Sequence, residues 1–134
     1  MRMKRMALFF CLSSVAPLAL ATPATDAEFA KFRAAGAKDF SAAGGKQLWD
    51  KTFPGIEGDK RSCTTCHGSN LDKPGKHAKT KKVIEPMATT VNPKRYTDEE
   101  KIEKWFKRNC EWVMGQECTA QEKGDILQFL LSVK

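Results

Sequence analysis

Two short stretches of the sequence hold most of the residues that can do chemistry. The first, CTTCH, places Cys63 and Cys66 three positions apart, with His67 immediately after them. C-x-x-C-H is the attachment signal for c-type haem, in which both thiols form thioethers with the haem vinyl groups and the histidine binds the iron. One helical turn presents both sulfurs together. The stretch therefore predicts one covalently attached haem, with His67 as the proximal ligand.

Two other chemistries use closely spaced cysteines, and the rest of the sequence favours neither. A zinc site would draw on two histidines and four cysteines in a compartment that oxidises spare thiols. A thiol redox pair is expected beside a βαβ unit, and the sequence shows no strand pattern. Haem attachment is therefore the favoured interpretation of CTTCH.

The start of the chain has the composition of a secretory signal peptide. Three positive residues precede an apolar run from Met6 to Leu20, and an A-x-A cleavage signal closes at Ala21. The run is too short and wrongly flanked for a membrane span. We expect cleavage after Ala21, which leaves residues 22–134, 113 in number, as one monohaem cytochrome c domain in the periplasm. Cys11 leaves with the leader, and the even number of remaining cysteines suits an oxidising compartment.

The charge balance indicates the kind of partner to expect. Cleavage removes three of the 23 basic residues and none of the 16 acidic ones, so the mature chain carries a net charge of +4. This mild positive charge does not indicate nucleic-acid binding, but it fits docking to an acidic redox partner. Five lysines between positions 73 and 82, with Lys94 and Arg95, form the candidate docking surface. A merely solvated loop is an equally good interpretation of the same lysines.

Helical signals dominate the mature chain. Helices are expected to begin at Thr25 or Asp26, near Ser41, and at capping boxes that open with Thr97 and Thr119. Between positions 68 and 93 no period persists, and a loop of this length suits a compact domain when it wraps a large cofactor. The order helix, CTTCH, loop, helix, helix is similar to a class I cytochrome c, an all-α fold wrapped around one haem. In that fold the terminal helices cross at a glycine–aromatic contact, for which Gly45, Trp49 and Phe129 are candidates.

The second stretch with chemical potential, KRNCEWVMGQEC, raises the question of the ligand on the far side of the iron. The candidates are His77, Met87, Asn109 and Met114. His77 lies in the lysine-rich segment, where a solvated loop is favoured. Met87 follows a proline in the wrapping loop, and Met114 lies 47 residues after His67. Methionines in such positions more often fill a core.

Asn109 lies on the apolar stripe of its helix, together with Ile102, Trp105, Phe106 and Cys110. A buried amide needs partners, because leaving it unpaired costs about 1–3 kcal/mol. A hydrogen bond to backbone near the helix end and ligation of iron are equally good interpretations on periodicity alone. The aromatic residues 105, 106 and 112 suit pocket lining and core packing equally well.

Longer stretches of the chain resemble the sphaeroides haem protein family, whose members are monohaem c-type cytochromes that bind oxygen. The segments that carry the resemblance lie between positions 49 and 131 and read CTTCHG, IEPMA, NPKRYTD, KIEKWFKRNC and CTAQEKGDIL. The resemblance implies that Asn109, in the R-N-C motif, is the distal ligand in the oxidised state and leaves the iron on reduction. It also implies a disulfide between Cys110 and Cys118, and it makes Met87 and Met114 packing residues.

The chemistry of the two candidate ligand types agrees with this resemblance. A neutral amide oxygen is a hard, weak ligand that suits ferric iron better than ferrous iron. A thioether sulfur is soft and suits ferrous iron better than ferric iron. We therefore expect an exported cytochrome that accepts an electron, loses Asn109 from the iron and binds a diatomic gas, oxygen or nitric oxide. The resemblance implies a dihaem cytochrome c as the electron donor.

Other functions remain open at this point. One alternative is a plain electron carrier with methionine ligation, and another is an enzyme of the nitric oxide dioxygenase type. The absence of a clear distal acid–base residue in the sequence disfavours a peroxidase. A gas sensor is disfavoured because the sequence offers no output domain.

Overall fold

A computed structural model describes residues 21–55 and 58–134. The described elements are, in order, α1 (Pro23–Ala34), α2 (Ala42–Asp50), α3 (Thr64–His67), β1 (Gly75–Lys76), β2 (Val83–Ile84), α4 (Glu99–Met114) and α5 (Ala120–Ser132). The predicted signal peptide up to Leu20 lies outside the described residues and stays a prediction. None of the described helices is long and apolar enough to cross a membrane.

Reciprocal capping boxes begin the first and last helices. The side chains of Thr22 and Thr25 each accept the other residue's backbone N–H, so α1 begins earlier than the predicted caps at Thr25 or Asp26. Thr119 and Glu122 make the same exchange at the start of α5, which confirms the predicted box there. Each exchange satisfies two backbone donors that a helix start leaves unpaired.

The cap of α4 differs from the prediction. Asp98, not Thr97, is the N-cap, and its carboxylate accepts the backbone N–H of Lys101 at 3.1 Å. Thr97 instead donates its hydroxyl to the carbonyl of Lys94. The predicted capping box at Thr97 is therefore wrong. A carboxylate at this position also gains from the positive end of the helix dipole, which a threonine does not.

Helices α2 and α5 cross at a position where only glycine fits. A Cβ added to Gly45 would lie 1.9 Å from the carbonyl oxygen of Asp125 and 2.8 Å from the Cβ of Phe129. One turn later, the ring of Trp49 packs with its centroid 6.0 Å from that of Phe129. The predicted glycine–aromatic crossing is therefore present.

Helix α1 is attached to the rest of the fold by aromatic contacts and by a buried carboxylate. The ring centroid of Phe32 lies 6.2 Å from that of Phe106 on α4, in an edge-to-face arrangement. Glu28 is fully buried, and Lys31 donates to its Oε1 at 2.6 Å. Its other oxygen has no hydrogen-bond partner among the described residues. Burial is the main cause that raises the pKa of Glu28, and the nearby carboxylate of Glu103 raises it further.

The segment between positions 68 and 93 is more ordered than the sequence indicates. Strands β1 and β2 pair antiparallel, with Gly75 opposite Ile84. The expectation of no strands is therefore wrong, because two-residue strands are too short to show alternation. The carbonyl of Leu71 accepts the backbone N–H groups of Met87 and Ala88, and all three residues are buried. The wrapping loop thus folds back on itself and joins the core.

Gly45→Ala should lower the free energy of unfolding by about 1–3 kcal/mol, because the added methyl group forces the backbones of α2 and α5 apart. Gly44→Ala is the matched control. Its Cβ would meet its nearest neighbours at 3.4 Å, and alanine favours the helix by up to about 1 kcal/mol. Denaturant unfolding followed by circular dichroism measures both variants. Equal stability of the two variants would contradict the close crossing.

Glu28→Gln should change how stability depends on pH. A raised carboxyl pKa means that the folded state holds the proton more tightly than the unfolded chain, so this contribution to stability is present below the ordinary value of 4.5 and is lost as pH rises through the folded pKa. The variant should therefore gain stability relative to the parent as pH rises from 4.5 to neutrality.

Denaturant titrations at a series of pH values measure this difference. Glu100→Gln, which changes an exposed carboxylate of α4, serves as the control and should show no such trend. A Glu28→Gln variant that loses stability relative to the parent over the same pH range would count against the assigned burial effect.

Candidate haem site

The CTTCH segment folds into a single helical turn. Cys63 is the N-cap residue of α3, and His67 is its last residue. The backbone N–H of His67 donates to the carbonyl of Cys63 at 3.1 Å, and that of Gly68 donates to the carbonyl of Thr64 at 2.9 Å. The backbone N–H of Ser62 is also satisfied, by the hydroxyl of Thr65 at 2.9 Å. This turn therefore holds both cysteines and the histidine in one compact unit.

His67 is a half-buried imidazole that is held in its neutral form. Burial is the main cause that lowers its pKa to about 4, and the positive charge of Arg95 lowers it further. The neutral form is the one that binds a metal ion. The imidazole ring packs against Trp49, with ring centroids 5.2 Å apart, and Nδ1 is buried without a hydrogen-bond partner in the described chain.

The two motif cysteines are free of disulfides, and both are half-buried. Burial raises the pKa of the Cys63 thiol to about 12, whereas a redox-active thiol needs a lowered pKa. The sulfur of Cys66 accepts the backbone N–H of Ala78 at 3.3 Å. A Cβ on Gly75 would lie 2.3 Å from the carbonyl oxygen of Cys66, so the loop closes tightly on the motif. These features disfavour the thiol redox pair.

The residues present fit a covalently attached haem. Two thiols and a neutral imidazole share one turn, as thioether attachment and iron ligation require. The unpaired Nδ1 of His67 also fits, because a histidine that binds metal uses its second nitrogen as a donor to a further group. Apolar surroundings are supplied by the core cluster against which Cys63 packs, which includes Trp49, Leu71 and Leu130.

Asn109 is half-buried on α4, on the face that turns toward the core. Phe106 and Val113, three residues before it and four residues after it, both pack inside the protein. The Asn109 amide forms no hydrogen bond within residues 21–55 and 58–134. The backbone hydrogen bond that was the alternative interpretation is therefore not seen there.

One core cluster joins the motif to the helix that carries Asn109. Cys63 from the motif and Phe106, Cys110 and Met114 from α4 all pack into this cluster. Residues of α4 and Cys63 of the CTTCH turn thus pack against one shared cluster, and Asn109 lies between two of these α4 residues in sequence.

Cys110 and Cys118 form a disulfide, with their Cα atoms 5.5 Å apart. Gly115 ends α4 between them in the left-handed conformation, with φ +76°, which suits glycine. The bond ties the last part of α4 to the residue just before the cap of α5. It therefore fixes the backbone directly after Asn109.

The other three ligand candidates have structural roles. Nδ1 of His77 accepts the backbone N–H groups of Lys79 and Thr80 at 3.2 and 3.1 Å, so His77 stabilises the connection between β1 and β2. Met87 is a buried member of the core cluster. Met114 packs against the same cluster, and its sulfur lies 3.6 Å from that of Cys118.

The aromatic residues near Asn109 divide into core and surface. Trp105 is 48% exposed, with the guanidinium of Arg108 5.5 Å from its ring, so its predicted place on the buried stripe is wrong. It lies at the solvent edge of the amphipathic helix, where a cation can stack on it. Trp112 packs under Arg61, whose guanidinium lies 4.0 Å from its ring and donates to its carbonyl. Sequence reasoning missed Arg61, because its burial depends on this distant tryptophan.

Replacing both Cys110 and Cys118 with serine should lower the free energy of unfolding by roughly 2–3 kcal/mol, because the unfolded chain regains the freedom of a short closed loop. Denaturant unfolding with and without a reductant measures the effect. Reductant should lower the stability of the parent to that of the double variant. If parent and variant unfold at the same denaturant concentration without reductant, the stabilising role is wrong.

Comparison with known proteins places the chain among haem proteins. Residues 35–130 match the family described as Domain of unknown function (DUF1924). The chain is 40% identical over 127 residues to Cytochrome c-type protein SHP of Cereibacter sphaeroides, covering 93% of this chain and 98% of that protein. The structure of oxidised SHP, an oxygen-binding cytochrome c, matches with a TM-score of 0.73 at 39% identity, covering 79% of this chain and 94% of that one.

A second protein shares the fold. The solution structure of cytochrome c'' from Methylophilus methylotrophus, a study of the structural basis of haem-ligand detachment, matches with a TM-score of 0.69 at 30% identity. The match covers 81% of this chain and 92% of that one. The predicted class of fold is therefore confirmed.

Proposed function

The chain belongs to the DUF1924 family and to the SHP-type cytochromes c, which carry covalently attached haem c, and from this premise we propose that Cys63 and Cys66 hold the haem and that His67 binds its iron. Haem c supplies a redox-active iron with two axial positions. We propose further that Asn109 binds the ferric iron, leaves it on reduction, and so opens a site for a diatomic gas, oxygen or nitric oxide.

The observation that carries this proposal is the state of Asn109. Its amide is half-buried and without a hydrogen bond among the described residues, on a helix whose residues share a core cluster with Cys63 of the CTTCH turn. A ligand bond to iron satisfies such an amide. The two similar proteins support the idea, since SHP is an oxygen-binding cytochrome c and ligand detachment is the subject of the cytochrome c'' structure.

The chemistry of the amide explains why the ligand should leave. The neutral oxygen of Asn109 is a weak, hard donor, so its bond loses most of its strength when iron becomes ferrous and softer. The disulfide at the next residue holds the backbone of α4 in place. We therefore expect the Asn109 side chain to move by rotation about its own bonds, while the helix keeps its position.

A plain electron carrier with methionine ligation is the second candidate function. Met114 favours it, because this residue packs into the same cluster as Cys63. Its sulfur, however, already contacts the disulfide sulfur of Cys118. An enzyme of the nitric oxide dioxygenase type would need the same open iron site, so gas binding is the more economical proposal.

Electron delivery is proposed to occur at the lysine-rich surface. This surface consists of six exposed lysines, which are Lys73, Lys76, Lys79, Lys81, Lys82 and Lys94. Ala78, within this segment, contacts the sulfur of Cys66, so the surface lies beside an attachment cysteine. Arg95 does not belong to it, because its guanidinium donates to the carbonyls of Glu85 and Pro86.

An acidic redox protein fits this surface, and the resemblance implies a dihaem cytochrome c. We also propose export to the periplasm with cleavage after Ala21, which places the chain where haem attachment and disulfide formation both occur.

Asn109→Ala should leave the haem attached but open the ferric site, so that azide or cyanide binds faster than in the parent protein. Met114→Leu is the matched control on the same helix and should leave the optical spectra and the anion-binding rates nearly unchanged. Stopped-flow optical spectroscopy of the ferric proteins measures the rates. The proposal fails if Met114→Leu speeds anion binding and Asn109→Ala does not.

A further inference from the structure

The proximal histidine and two residues linked to it through packing and a shared cavity carry unpaired polar atoms. Four buried side-chain nitrogen or oxygen atoms lack a hydrogen-bond partner in the described part of the chain, and three of them belong to Trp49, His67 and Asp72. The fourth is on Glu28, whose side chain belongs to the contact of α1 with α4. Each such atom costs about 1–3 kcal/mol if it stays unpaired. Three of them on residues linked in this way therefore indicate that the haem-loaded protein pairs them.

The three atoms form a complementary set. Nε1 of Trp49 is always a donor, and Oδ1 of the Asp72 carboxylate is an acceptor. Nδ1 of His67 is a donor when the other ring nitrogen binds iron. Two donors and one acceptor with several lone pairs can satisfy one another without help from the rest of the protein.

The placement of the three residues allows this pairing. Trp49 and Asp72 line the same cavity, which has a volume of 320 Å³. Trp49 is 4% exposed, lines this cavity and packs its ring against His67, so it adjoins both the cavity and the proximal ligand. Asp72 follows His67 by five residues, and its backbone N–H donates to the side chain of Asn70 at 3.0 Å. The cavity gives the carboxylate room to turn and gives space for ordered water.

We propose that Asp72 is a positioning residue for the proximal ligand, and that its carboxylate accepts hydrogen bonds from Trp49 Nε1–H and His67 Nδ1–H, directly or through one ordered water. The inference rests on the proposed role of His67 as iron ligand. A carboxylate acceptor fixes the plane of the imidazole and makes the nitrogen that binds iron more basic. A more basic ligand stabilises ferric iron more than ferrous iron. Asp72 therefore lowers the reduction potential of the haem.

The chain offers a matched control for this effect. Asp50 also lines the cavity, but its carboxylate forms an ion pair with Lys46, and both side chains are largely exposed. Asp50→Asn therefore makes the same chemical change at the same cavity without touching the unpaired oxygen. Any effect of charge alone on the haem should appear in both variants.

The test compares Asp72→Asn and Asp50→Asn in the full haem-bearing protein. Redox titration should show Asp72→Asn shifted to a higher midpoint potential, so that the reduced-to-oxidised ratio at a fixed potential rises by roughly threefold to tenfold, as expected when a charged hydrogen bond is weakened. Asp50→Asn should shift far less. Resonance Raman spectra of the ferrous proteins should show a lower iron–histidine stretching frequency in Asp72→Asn only.

A third variant separates the hydrogen bond from a change in packing. Trp49→Phe keeps an aromatic ring against His67 but removes the competing donor, so the carboxylate serves His67 alone. Its iron–histidine frequency should equal or exceed that of the parent. A fall in that frequency as large as in Asp72→Asn would mean that packing, not the carboxylate, sets the bond.

The outcomes distinguish this inference from the proposed function. If the iron–histidine band is present and Asp72→Asn matches Asp50→Asn in both potential and frequency, Asp72 has no such role, while His67 ligation stands. If His67→Ala retains the iron–histidine band of the parent, His67 is not the ligand, and both proposals fall together.

Discussion

The close crossing of α2 and α5 at Gly45 is the constraint from which both sides of the site follow. Because Gly45 has no side chain, the backbone of α5 can lie directly against α2. At this crossing, Trp49 packs against Phe129 and also against His67. His67, the proposed proximal ligand, is thus packed against Trp49, which the helix crossing itself holds in place.

The same crossing reaches the distal side through the disulfide. Helix α5 begins just after Cys118, which is bonded to Cys110, the residue next to Asn109. The position of α4 is therefore tied to the helix pair that supports His67. This arrangement keeps the backbone of both proposed ligand residues fixed while leaving the Asn109 side chain free of protein hydrogen bonds in the described chain. A rigid frame with one weakly held ligand is what a site that opens on reduction needs.

The local structure of the CTTCH motif and of the last helix cap was the easiest to predict from the sequence, because its signal is local. CTTCH forms a single helical turn, which is set by neighbouring residues. The capping box at Thr119 is likewise predicted by the types of four consecutive residues. The glycine–aromatic crossing was also foreseen, since Gly45 and Trp49 lie one turn apart on a helical pattern. What remained open was the role of Asn109, because helical periodicity shows that a residue faces inward but not what it meets there.

The errors share a physical cause, which is that tertiary contacts override local patterns. The helical spacing of Trp105 predicts a core residue, but Trp105 lies at the edge of the buried face of α4, where Arg108 stacks on it. Arg95 reads as a surface charge, yet it holds the loop through two carbonyl groups. Asp72 gave no signal at all, because an acidic residue in a lysine-rich loop looks solvated until its neighbours in space are known.

Reduction is proposed to free the distal position of the iron. The most direct measurement takes the unmodified ferrous protein, records its optical and magnetic circular dichroism spectra, and then adds carbon monoxide. The account predicts a five-coordinate, high-spin ferrous haem that binds carbon monoxide rapidly. A ferrous haem that stays six-coordinate and low-spin, and that does not react with carbon monoxide, would contradict it.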